Sequence, residues 1–64
     1  MKTYDFWVYF DDGCHIELFN VLGWKEAKIL AQAERINRGR SYNNWTHITQ
    51  EMDHGWETVK INKD

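Results

Sequence analysis

The sequence predicts an α+β domain of order ββαββ, one helix packed on a four-stranded antiparallel sheet. Three observations carry that expectation. Residues 23–40, GWKEAKILAQAERINRGR, are the only long stretch of helical composition. Segments rich in aromatic and β-branched residues stand in pairs on either side of it. Each pair is divided by a short glycine-containing turn, Asp11-Asp12-Gly13 in the first and Met52-Asp53-His54-Gly55 in the second.

The helix is bounded by residue chemistry. Gly23 is placed to act as N-cap, with Glu26 three positions on, able to reach back to the free amides. Ala27, Leu30, Ala31 and Ala33 favour the interior, and no proline interrupts it. Arg35, Arg38 and Arg40 suit the carbonyl end, and Gly39 suits the left-handed position that closes a helix. At about 100° per residue, Trp24, Ala27, Leu30 and Ala31 share one side while Ile29, Ala33 and Ile36 share another. Two faces of the helix therefore want burial, either both in a broad groove of its own sheet or the second, Ile29, Ala33 and Ile36, against another molecule.

The first strand, residues 3–10, puts Tyr4, Phe6, Val8 and Phe10 on one face and Asp5, Trp7 and Tyr9 on the other. In the second, residues 14–21, Cys14, Ile16 and Leu18 alternate with His15, Glu17, Phe19 and Val21. After a polar connection, 41–44, the third strand runs over 45–50. The fourth covers 56–61, with Glu57, Val59 and Ile61 opposed to Trp56, Thr58 and Lys60, and a frayed tail is expected at 62–64. If Phe6, Val8, Ile16, Leu18, Ile48, Val59 and Ile61 go under the helix, the opposite face carries Trp7, Tyr9, His15, Phe19, Trp45, His47 and Trp56.

Residues 1–64 make a single domain, and one of this size buries only about 60% of the surface its unfolded chain exposes. Four tryptophans among 16% aromatic residues give it a core that is rich for its size. Cys14 is the single cysteine, so no internal disulfide forms, and it reads as a small buried residue in a reducing compartment. The chain enters a strand pattern at once, without a signal-peptide pattern or an apolar run of membrane-spanning length, so a cytoplasmic protein without a membrane partner is expected. Ten acidic against eight basic residues give a net charge of −2, so no global field draws it to nucleic acid.

No catalytic, cofactor or metal site is expected. Cys14 and His15 are strand neighbours on opposite faces, and His47, His54 and Asp53 lack the spacing of a zinc site. Asp11 and Asp12 are turn formers, and the four glycines sit at turns and caps rather than in a phosphate loop. What remains is surface. Trp7, Tyr9, Phe19, Trp45, His47 and Trp56 are candidate protein-binding residues, because a large exposed aromatic patch marks an interface. Lys28, Arg35, Arg38 and Arg40 are candidate phosphate contacts, with Tyr42 or Trp45 to stack a base, the alternative reading as a nucleic-acid-binding protein. Ile29, Ala33 and Ile36 are candidate contacts of a homodimer, the small Ala33 letting two helices approach about a twofold axis.

With WKEAKILAQAERI set between two hairpins, the chain resembles the small ββαββ proteins encoded by phages and prophages, a group that includes anti-CRISPR inhibitors. The resemblance covers nearly the whole chain in layout and size and rests on no diagnostic motif. It implies a non-enzymatic inhibitor that occupies a surface of a host defence or replication complex.

Overall fold

The computed structural model describes residues 1–41 and 44–63. Its elements are β1 (Tyr4–Phe10), β2 (His15–Val21), α1 (Trp24–Asn37), β3 (Trp45–Met52) and β4 (Gly55–Ile61). One helix packs on a four-stranded antiparallel sheet, as expected, with the spatial order β2-β1-β3-β4. The first strands of the two hairpins pair at the centre. β2 and β3 both run antiparallel to β1 and so parallel to each other. Parallel strands need a long crossover, and α1 supplies it, lying over β2 and β1 and touching β3.

The helix is shorter than the 23–40 stretch because its C-terminus closes in a Schellman motif. Gly39 takes φ 73°, its N–H donates to the Ile36 carbonyl at 2.9 Å, and the Arg40 N–H donates to that of Arg35 at 2.9 Å. At the other end Gly23 is the extended N-cap, but no side chain caps the helix; the reach of Glu26 expected there is not made. The stripe laid on the sheet runs Trp24, Ala27, Ala31, Arg35. Both alanines are fully buried, which lets the helix axis come close to the strands, while Leu30 is 43% exposed.

Under the helix lie Phe6, Val8 and Phe10 of β1, Val21 of β2, and Trp45 and Ile48 of β3, with Tyr4, Ile16, Leu18, Trp24 and Val59 packed around them. Covering each large apolar side chain contributes about 1.5–3 kcal/mol, the principal favourable term for so small a chain.

Three bulges decide which side chains share a face. Two residues of β2, Phe19 and Asn20, stand where β1 has only Asp5, since Tyr4 pairs with Val21 but Phe6 with Leu18. Asn20 accommodates the kink with φ 58°, and its N–H donates to Asp5 Oδ1 at 3.2 Å. Val21, expected opposite the helix, is turned into the core. In β3, Thr46 is the extra residue: Tyr9 pairs with His47 but Phe10 with Trp45, so Trp45 swings under the helix rather than onto the open face. In β4 the extra residue is Val59, between the pairs Ile48 with Lys60 and Thr49 with Thr58. Lys60 moves to the helix side and Ile61, expected in the core, to the open side. Each bulge inserts one residue into a period of two, which exchanges the faces beyond it.

Three further expectations are corrected. Cys14 is exposed, because it belongs to the hairpin turn, where its N–H donates to Asp12 Oδ1 at 3.1 Å, and β2 begins only at His15. The third strand continues past Gln50 to Met52. Asn62 is not frayed: its backbone N–H donates to the Thr46 carbonyl and its side-chain amide to that of Trp45, both at 2.8 Å. Tyr42, Asn43 and Asp64 lie outside the described residues.

Candidate functional site

The face of the sheet turned away from α1 carries an aromatic array built by strand register. One row, His15, Tyr9, His47 and Ile61, crosses all four strands in pairing order, and the next is Glu17, Trp7, Thr49 and Thr58. Directly opposed side chains on one face of an antiparallel sheet have Cβ atoms about 4.5–5.5 Å apart, so rings in such positions meet. Trp7 stacks on His15 at 4.7 Å between centroids and 15° between planes, and Tyr9 stacks on His47 at 4.3 Å and 7°. Trp56 crosses diagonally to reach Trp7 at 5.1 Å, and Tyr9 bridges the groups, 6.2 Å from Trp7 and 5.8 Å from His15. Thr46 Oγ1 holds the second stack, donating to the Tyr9 carbonyl at 3.3 Å and lying 3.0 Å from His47 Nδ1.

Of the residues read from the sequence as protein-binding, Trp7, Tyr9, His47 and Trp56 are brought together. Phe19 is 60% exposed at the β2 bulge, and among the described residues no ring contact joins it to the array. Trp45 is 9% exposed and belongs to the core, with Lys28 Nζ 5.7 Å from its ring centre. The sequence could not show this, since it depends on Thr46 looping out of register.

The candidate phosphate cluster is dispersed. Arg35 is 3% exposed: its guanidinium lies 4.4 Å from the Phe10 ring centre and donates to Asp12 Oδ2 at 3.0 Å. It is a buried anchor, placed there because position 35 continues the packing stripe of Ala27 and Ala31. Arg40 donates to the same Asp12 oxygen at 3.1 Å, and Arg38 pairs with Glu34 one turn back at 2.9 Å. The Cys14 N–H and then the two arginines hold the Asp12 carboxyl below its ordinary value. Of the four candidates, Lys28 does belong to a basic group, formed with Lys25 and Lys60: Lys25, Lys28 and Lys60 place their ammonium groups 5.9, 6.0 and 4.9 Å from the Trp24 ring centre. Lys60 comes from a strand far along the chain, so spacing gave no signal of it.

Ile29, Ala33 and Ile36 stay exposed on the outer side of α1. Among the described residues, no group of three or more His, Cys, Asp and Glu is arranged to hold a metal ion, and no helix is long and apolar enough to cross a membrane. Comparison with protein-family models, curated proteins and solved structures gives no significant match.

Proposed function

We propose that the chain is a small protein-binding module that docks its partner on the open face of the sheet. The observation that carries this reading is the ring array of Trp56, Trp7, His15, Tyr9 and His47, aligned across four strands on a face that α1 leaves uncovered. Tryptophan and tyrosine give large contact area at small entropic cost and dominate binding hot spots. The layout resemblance extends the reading to a stoichiometric inhibitor that occupies a surface of a host defence or replication complex. The test is capture of host proteins by wild type and by Trp56→Ala, identified by mass spectrometry, with melting temperature measured in parallel. Loss of a specific captured protein without loss of stability supports the reading; unchanged capture removes it.

A second reading has its own observation. Three lysines around Trp24 form a basic patch with an aromatic surface, a suitable contact for a nucleic-acid strand through phosphates and one base. This keeps Lys28 as a phosphate contact and replaces the arginines, which are engaged by Asp12 and Glu34, with Lys25 and Lys60. Oligonucleotide titration at low salt tests it, because phosphate binding weakens steeply as salt is raised.

A further inference from the structure

We infer that the open face receives a cationic side chain, arginine or lysine, of a protein partner, seated on Trp7 and Trp56 between Glu17 and Glu51. This inference rests on the docking reading and names the chemistry of what docks.

The argument begins with charge placement. The same-face neighbours of the Trp7–Trp56 pair are carboxylates on three strands. Glu17 of β2 is the direct partner of Trp7, and Glu51 of β3 is the direct partner of Trp56. Asp5 stands two residues before Trp7 on β1. Asp5 accepts the Asn20 N–H, so its place is structural. Glu17 has only His15 beside it, at 3.4 Å, with 47% of its side chain exposed, and no hydrogen bond or ion pair among the described residues engages Glu51. The row of carboxylates runs on into a cleft of about 550 Å³ at the end of the sheet, whose lining includes Asp5, Glu51 and Asp53 together with Lys2 and His54.

The cations are elsewhere. Lys25, Lys28 and Lys60 surround Trp24 on the helix side, Arg35 and Arg40 are held by Asp12, Arg38 by Glu34, and Lys2 lies over Tyr4. Lys63, past the end of β4, borders the far side of the sheet beside Thr58 and Ile61. A chain of nearly balanced charge therefore presents an aromatic platform with carboxylates around it, and among the described residues no ammonium or guanidinium lies over the Trp7 or Trp56 ring.

That combination selects its occupant. A cation is drawn to the face of an indole within about 6 Å of its centre, and a carboxylate at the side adds a charge-assisted hydrogen bond, bidentate for a guanidinium. A nucleic-acid strand, which would also stack on the rings, is repelled by Glu17 and Glu51. The basic helix side of a second copy has the right charge, but that contact joins two different surfaces and cannot close as a twofold dimer, the commonest homo-oligomer, leaving only a ring or an open chain. A distinct protein with an exposed arginine or lysine fits the charge and needs no repeating contact between copies.

The test uses acetyl-Arg-Gly-Arg amide and its citrulline counterpart, which keeps the shape and removes the charge, titrated into the intact labelled protein. The readout is the indole N–H resonances of Trp7 and Trp56. The arginine peptide is expected to shift both saturably and to bind at least tenfold more tightly than the citrulline peptide. Glu17→Gln with Glu51→Gln should abolish that preference with the melting temperature unchanged. Equal binding of the two peptides, a preference that survives in the double variant, or shifts confined to other residues would overturn the inference. Equal binding at the two indoles would leave the docking reading intact, whereas unchanged capture by Trp56→Ala removes the docking reading itself.

Discussion

Arg35, on the last turn of α1, and Asp12, in the first hairpin turn, meet at 3.0 Å and tie the helix to the far end of the β1–β2 hairpin. The guanidinium is buried against Phe10 while the carboxylate stays one-third exposed, so the pair is anchored on the protein side and open on the other. Replacing Arg35 removes a buried side chain packed on Phe10 together with the one buried partner of Asp12, which keeps only Arg40 and the Cys14 N–H. Arg35→Ala should lower stability by about 2 kcal/mol, and Arg38→Ala, on an exposed pair, by less than about 0.5 kcal/mol. Thermal denaturation of the two variants checks the contrast.

Asp12 makes the fold sensitive to acid. Its carboxyl is held below the ordinary value of 3.8 by the Cys14 N–H and by the arginines. The folded state therefore binds this proton more weakly than the unfolded state does. The resulting stabilisation is present above the unfolded value and is lost as pH falls through the lower, folded one. Asp12→Asn should flatten the fall in stability over that acid window. Chemical denaturation at a series of pH values reads this, and an unchanged slope would show that other carboxylates govern it.

The β2 bulge predicts a substitution pattern. Asn20 has φ 58°, a region open to glycine and asparagine and strained for β-branched residues. Asn20→Gly should be nearly neutral, while Asn20→Val should cost about 1–3 kcal/mol, either directly as strain or by releasing Val21 from the core. Equal melting temperatures for the two variants would contradict the role given to the bulge.

That bulge and its two counterparts mark where the sequence stopped being legible. Hairpin turns, strand alternation and helix closure are local, and Gly13, Gly39 and the aromatic runs announced them. The faces of Val21, Trp45 and Ile61 depend on single extra residues at Asn20, Thr46 and Val59. Of these only Asn20, an asparagine able to take positive φ, leaves any trace in the sequence. The open face was legible where alternation holds, at Trp7, Tyr9, His47 and Trp56, and illegible at Trp45, past the Thr46 bulge. The burial of Arg35 was hidden because an arginine near a helix end is also what the helix dipole favours. Its distinguishing sign is the spacing of four that continues Ala27 and Ala31.

Self-association would use a different surface, the outer side of α1. Ile29 and Ile36 are more than half exposed, with Ala33 between them on the outer side of the helix. If two copies pair there, light scattering over a concentration series will show mass above the monomer, and Ile36→Glu will return it to the monomer. A monomeric mass at high concentration excludes the pairing and leaves the helix face free.

The most direct test of the central claim is Trp56→Ala. Trp56 is 45% exposed and touches the array through Trp7, so its removal takes away binding surface and little of the core. Trp45→Ala empties a buried site and should cost about 3–5 kcal/mol. The account predicts that Trp56→Ala lowers partner affinity at least tenfold while the melting temperature stays within a few degrees of wild type. A large drop in melting temperature with affinity unchanged would show that the array serves the fold alone and would contradict the claim.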